Sequence, residues 1–252
     1  MDELGPAIRI YAQPQQDVPI LEAGGVLDSL TYRTVRDAVI KAALDAARGV
    51  IVDVNRLCVP SASAWSVFTS ARWHVSVWPD VPIILVCARP EARRAITAGG
   101  ITRYVPVYPT VESALDALSD QPFPTRRRAR SALPLTRVSV GVARAMVHDW
   151  LTGWGRAELI PVAATVATVF VENVLDHTHS APVLIVELSR DAVTIAVEDG
   201  SDRLPGRHED ADSGAEIVSG LAIVSALCRA WGATPMPSGK TVWAVVGREN
   251  QL

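Results

Sequence analysis

The sequence predicts an α/β domain followed by an α+β domain. Three observations carry this. From residue 7 to residue 118, strand-like and amphipathic helical runs succeed one another singly, the order of a mostly parallel sheet covered by helices. From residue 136 onward, two long helical patterns precede hairpin-like strands. At 252 residues, 49% of them apolar, the chain can build two domains of about 100–150 residues, each with its own core.

Residues 7–12 alternate apolar and polar side chains, and residues 19–27 supply a second strand-like run reaching Gly25-Val26-Leu27-Asp28. Asp28 or Ser29 caps a helix whose apolar positions, among them Leu30, Val35, Val39, Ala43 and Ala46, keep helical spacing until Gly49 stops it. Residues 50–54 are β-branched and read as a buried strand. Ser61 or Ser63 caps the next helix, which runs to about residue 77. Residues 81–88 form another buried strand, and Pro90 opens a helix ending at Gly99-Gly100. A small strand at 105–107 and a helix at 110–118 close the domain.

This order, with Gly25-Val26-Leu27-Asp28 and Val50-Ile51-Val52-Asp53-Val54, resembles the STAS domain of anti-sigma-factor antagonists over residues 7–119. The resemblance implies a phosphorylatable hydroxyl in the loop after the Asp53 strand. Free backbone N–H groups and the positive end of a helix favour phosphate there. The family's Asp-Ser-Ser/Thr-Gly-Leu falls on Ser61-Ala62-Ser63-Ala64-Trp65, so the expected acceptor position is an alanine. Ser63, with Ser61 beside it, is the candidate phosphosite if the loop shifts register by one. Otherwise both serines are helix caps. The domain then binds with its switch removed or moved.

Residues 1–120 carry 11 basic and 13 acidic groups, and residues 131–252 carry 9 and 14. Between them Arg126, Arg127, Arg128 and Arg130 stand without an acidic neighbour, flanked by Pro122, Pro124 and Pro134. A nucleic-acid binder carries its basic groups on the face of a folded domain. Here residues 121–134 read as a solvated linker between a domain at 1–120 and one at 135–252, and no direct nucleic-acid contact is expected.

In the second half, residues 136–151 form a helix, and a turn at Gly153–Gly155 leads to a longer one over 157–178. The apolar stripe of that helix includes Leu159, Val162, Val166, Val169 and Phe170, and then carries Asn173 and His177. An unpaired amide on an apolar stripe costs on the order of 1–3 kcal/mol, and a ligand at the helix end would satisfy it. Alternating strands at 183–188 and 192–199 follow, then a polar loop at 201–219, an apolar helix at 220–231, and strands at 234–236 and 241–246.

Glu172-Asn173 with His177, Asp199-Gly200-Ser201, Gly220-Leu221-Ala222-Ile223-Val224 and Gly239-Lys240-Thr241-Val242-Trp243 are similar to the GHKL, or Bergerat-fold, ATPases. Within that family the chain most resembles the anti-sigma-factor serine kinases, over roughly residues 133–247, and the resemblance implies a Bergerat-fold two-layer α/β sandwich. The resemblance implies ATP or ADP with Mg²⁺ as ligand. Asn173 would ligate the metal, a neutral oxygen on a hard cation. Asp199 would accept from the adenine amino group, with Ser201 beside it and Thr241 in support. Gly220, Leu221 and the amides after them would meet phosphate at a helix N-terminus. His177 would close the first motif at its helix end.

The kinases place a glutamate one turn before the asparagine, and here that position is Val169. Glu172 is turned about 100° away on the helix. A missing general base typically costs ~10²–10⁴ in rate. The family's Gly-x-Gly-Leu is Val218-Ser219-Gly220-Leu221, with a β-branched residue where a glycine is usual.

No secretory leader opens the sequence, and no uninterrupted apolar run approaches the ~20 residues of a membrane span, so a cytoplasmic protein without membrane contact is expected. Cys58, Cys87 and Cys228 are too scattered for a disulfide framework and read as core residues. The leading function is a regulator of the partner-switching type, binding a sigma factor or a STAS-domain or anti-sigma partner, with phosphoryl transfer impaired. The alternative is an active serine/threonine kinase using Glu172 as a displaced base. A homodimer through the second domain follows from the same resemblance.

Overall fold

The computed structural model describes residues 8–15, 18–120, 126–203 and 220–250, and it divides into two units, Met1–Phe123 and Pro124–Leu252.

The first unit runs β1 (Arg9–Gln15), β2 (Val18–Val26), α1 (Tyr32–Asp45), β3 (Val50–Cys58), α2 (Ser66–His74), β4 (Ile83–Val86), α3 (Pro90–Ala98), β5 (Val107–Tyr108) and α4 (Val111–Ser119). Its five strands lie in sequence order, β1 antiparallel to β2 and the rest parallel. Parallel strands need cover on both faces, which is why β4 is apolar and buried throughout. Ile20, Ile51, Ile84, Ala114, Leu115 and Leu118 make one of the cores, on the α4 side.

Local chemistry sets the helix starts. Asp28 Oδ1 accepts from the backbone N–H groups of Leu30 (2.9 Å) and Thr31 (3.1 Å), while the Thr31 hydroxyl donates to the Val26 carbonyl (2.7 Å). These contacts, the Thr31 N–H first, hold the Asp28 carboxyl below its usual pKa. They also delay α1 to Tyr32, so Leu30 sits in the turn at 87% exposure and is not the core position expected of it. A capping box of Thr110 and Ser113 starts α4. Of the cysteines expected inside, Cys87 is buried and Cys228 half-buried, but Cys58 is exposed because it ends β3 on an outward position.

The second unit runs β6 (Arg126–Ala132), α5 (Val138–Gly153), α6 (Ile160–His177), β7 (Val183–Ser189), β8 (Ala192–Asp199), α7 (Gly220–Leu227), β9 (Ala230–Met236) and β10 (Gly239–Val246). The strands form one antiparallel sheet in the order β6-β7-β8-β10-β9. Alternate residues Leu184, Val186, Val193, Ile195, Val197, Val242, Ala244 and Val246 face the helices and share one core with Ala143, Val147, Val162, Val166, Phe170 and Val224. The unit is thus a mixed α/β sandwich. Residues 157–177 have the length and composition of a membrane span, with a mean hydropathy of 1.5 in the most apolar window. Yet more than half of that window is buried, and α6 packs on the sheet as a core helix does.

Two further expectations are corrected. The arginine tract, expected as a linker, is strand β6 on the edge of the second sheet. Its backbone pairs with β7 from Arg126 to Ala132, Arg126 reaches Glu187 Oε1 (2.6 Å) and Arg130 reaches Glu198 Oε2 (2.6 Å). Arg126 thus pairs with a carboxylate on the adjacent strand and Arg130 with one on the strand beyond it, and charge on an edge strand discourages pairing with other chains. Residues 121–125 of the expected linker lie outside the described residues. The last helix stops at Leu227 rather than Trp231, because Trp231 pairs with Ala244 in the hairpin and Gly232 packs on the Trp243 ring.

Candidate functional site

In the first unit, the turn after β3 is a short 3₁₀ segment, Ala62–Trp65, anchored by the buried Trp65 indole. Ser61, Ala62 and Ser63 are exposed on it. The cap reading is corrected: the Ser61 and Ser63 hydroxyls lie 2.8 Å apart and bond each other, and neither side chain caps the segment or α2. Both hydroxyls are open to solvent, and the position between them carries none.

In the second unit, hydrogen bonds tie the end of α6 to the end of β8. The Thr178 hydroxyl donates to the Val174 carbonyl (2.9 Å) and lies 3.0 Å from Ser180 Oγ. Ser180 Oγ accepts from the Gly200 N–H (2.8 Å). With the Thr178 proton committed to Val174, the Ser180 hydroxyl donates to Thr178, which completes the relay from helix to strand. His177, Thr178, His179, Ser180, Gly200, Ser201 and Arg203 line an open cleft of about 540 Å³ there. Of the expected ligand residues, His177 and Ser201 are on its wall.

Asn173 lies one turn before His177 on α6, half-buried and outside that wall, and among the described residues its amide makes no hydrogen bond. Val169 shares its face one turn earlier. A Cβ built on Gly220 would lie 2.8 Å from Val169 Cγ1, so the first residue of α7 packs tightly on that side chain. The place where the resemblance puts a catalytic carboxylate is therefore an apolar contact, with Val169 8% exposed. Leu221 is buried in the same core. Glu172 is half-buried on a neighbouring face. Val218 and Ser219 lie outside the described residues.

Asp199 is buried on the helix-facing side of β8. Its Oδ1 receives the Ser201 N–H at 2.7 Å and the Lys240 ammonium at 2.9 Å. Lys240 is the cross-strand partner of Asp199, as Val242 is of Val197. Side chains alternate between faces, so Thr241 lies on the opposite face, paired with Glu198, and its hydroxyl points at Met236 Sδ (3.3 Å). Thr241 is thus not brought to Asp199, and Lys240 is. Lys240 was missed because an isolated lysine reads as a solvated residue. Counting the alternation back from Ala244 and Val242 would have placed it on the core face.

These residues do not fit an adenine nucleotide without rearrangement. A purine amino group would have to displace the ammonium from Asp199 Oδ1 or approach the second oxygen. Among the described residues, no group of three or more His, Cys, Asp or Glu is placed to hold a metal.

Residues 9–114 match the family model of the STAS domain. Solved structures similar to the chain include an anti-sigma factor antagonist from Mycobacterium paratuberculosis, at 20% identity and a TM-score of 0.40, covering 45% of this chain and 96% of that one. The anti-sigma factor antagonist SpoIIAA in its unphosphorylated form is 17% identical with a TM-score of 0.36, covering 46% and 99%. The phosphorylated form of SpoIIAA, a Bacillus cell fate determinant, is 18% identical with a TM-score of 0.34, covering 44% and 99%. No curated protein matches the chain. Residues 9–114 of this protein are a STAS domain.

Proposed function

We propose that the protein is a regulator of the partner-switching type that acts by binding, with phosphoryl transfer impaired. The STAS domain at residues 9–114 carries this reading. Its partner is a sigma factor, an anti-sigma factor or another STAS protein, held through the first unit. The exposed Ser61 and Ser63 flank an alanine where the family resemblance expects the phosphorylated hydroxyl, so partner binding is not switched at that position.

The second unit is a GHKL-type fold in this reading, and an adenine nucleotide with Mg²⁺ is the ligand class of its ancestry. Asn173, His177, Asp199, Ser201, Gly220 and Leu221 are its inherited ligand residues. The Val169 contact with Gly220 supports lost phosphoryl transfer, since no carboxylate stands where a hydroxyl would be deprotonated.

The test is a binding measurement on the full chain against purified anti-sigma factors, sigma factors and STAS proteins. A specific complex whose affinity is unchanged by ATP and Mg²⁺ is expected. No complex with any of the three classes, or one formed only in the presence of ATP, would overturn the reading.

A further inference from the structure

On the reading of the second unit as a nucleotide-binding fold, Asp199 is the adenine acceptor, and its acceptor atom already holds a cation. We infer that Lys240 is a built-in competitor for adenine: its ammonium occupies the base-recognising carboxylate and opposes nucleotide binding until it is displaced.

The geometry is that of a made fit. The Lys240 and Asp199 side chains are 9% and 2% exposed, and Nζ also lies 3.4 Å from the Ser201 carbonyl. Oδ1 holds the Ser201 N–H besides, so its lone pairs are engaged. The lysine is fixed there by backbone register. Gly239, at φ +146°, turns the β9–β10 hairpin so closely onto β8 that a Cβ would overlap the Asp199 carbonyl oxygen. That contact leaves Lys240 opposite Asp199 on the helix-facing side.

Energetics favour the lysine over a purine. Ammonium and purine amino group would each make a charge-assisted hydrogen bond to the carboxylate, but only the ammonium adds the attraction of opposite charges in a site withdrawn from solvent. Displacing the ammonium also leaves a buried cation without its partner. At the other end of the inherited site, Val169 packs on Gly220.

The chain's lysines are Lys41 and Lys240, which makes the occupancy readable. Lys41 is half exposed and serves as internal standard. In full-length protein treated with an amine-acylating succinimidyl ester and mapped by mass spectrometry, Lys240 is expected to react at least tenfold more slowly than Lys41. Calorimetry with ADP and Mg²⁺ either gives no heat or, at saturation, is accompanied by faster acylation of Lys240. Heat of binding with Lys240 still protected overturns the inference, as does equal reactivity of both lysines without nucleotide.

Lys240→Thr carries the second arm, with circular dichroism and thermal melting to establish that it folds. ADP should bind it roughly tenfold or more tightly than wild type, about one charge-assisted hydrogen bond no longer competed for. The gain should vanish on adding Asp199→Asn. Equal binding to wild type and Lys240→Thr refutes the competitor and leaves the nucleotide-fold reading standing. Silence from both folded proteins removes that reading, and the competitor with it. A lysine that only fastens the hairpin would cost stability on replacement without this gain. If Lys240→Thr does not fold, the acylation arm on wild type decides.

Discussion

Lys240 and Asp199 face each other across β10 and β8, ammonium to carboxylate at 2.9 Å, both withdrawn from solvent. Breaking a buried pair from one side strands the other charge, which costs about 3–5 kcal/mol. Lys240→Met and Asp199→Leu should each lower stability by roughly that amount in urea unfolding. The double variant, with two apolar groups in contact, should be less destabilised than either single one. If the single losses simply add, the two charges do not depend on each other.

Gly239 holds a backbone conformation closed to L side chains, and a Cβ there would run into Asp199 and Gly200. Gly239→Ala should cost roughly 3 kcal/mol or more and separate β10 from the end of β8. Hydrogen exchange should then accelerate at the β10 amides that pair with the end of β8. Unchanged exchange and stability would contradict the tight approach.

The Val169–Gly220 contact predicts a coupling. Gly220→Ala adds a methyl 2.8 Å from Val169 Cγ1 and should destabilise by about 1–3 kcal/mol. In a Val169→Ala background much of that loss should disappear, because the added methyl then has room. A double-mutant cycle by thermal unfolding measures it. Independent losses would mean that α7 does not start against α6.

Arg229 makes two hydrogen bonds to Glu249, at 2.5 and 2.9 Å, and that guanidinium is the main reason the Glu249 carboxyl pKa falls to about 2. A depressed carboxyl pKa stabilises the fold above the ordinary value of 4.5, and the contribution fades as pH falls toward 2. Glu249→Gln should therefore be less stable than wild type at neutral pH, with the gap closing between pH 4.5 and 2. A gap independent of pH would contradict the pairing.

Thiol reactivity should follow burial. Burial pushes the Cys228 thiol up to about 11, Cys87 is enclosed, and Cys58 is exposed. Alkylation by iodoacetamide at neutral pH, where the thiolate is the nucleophile, should mark Cys58 first. Faster labelling at Cys228 would count against its burial.

Much of the fold was legible because local pattern and tertiary role agree. β3 and β4 are apolar runs since both faces are covered, and α6 advertises its packed face by its valine stripe. The exceptions are settled by residues distant in sequence. Nothing near Arg126 announces Glu187 and Glu198, so a strand looked like a linker. The run from Gly220 to Trp231 is continuously apolar, and only the pairing of Trp231 with Ala244 divides helix from strand. At the candidate site, the segments bearing His177 and Ser201 do meet on one cleft. The partner of Asp199 was hidden in hairpin register, where a shift of one residue exchanges Lys240 for Thr241.

Phosphoryl transfer tests a binding-only regulator most directly. The full-length chain is incubated with γ-labelled ATP and Mg²⁺, alone and with a STAS-domain protein as acceptor, beside an active kinase as control. No label should reach either the chain or the acceptor. Efficient Mg²⁺-dependent labelling of either would contradict a regulator that works by binding, and would favour a kinase with Glu172 as its base.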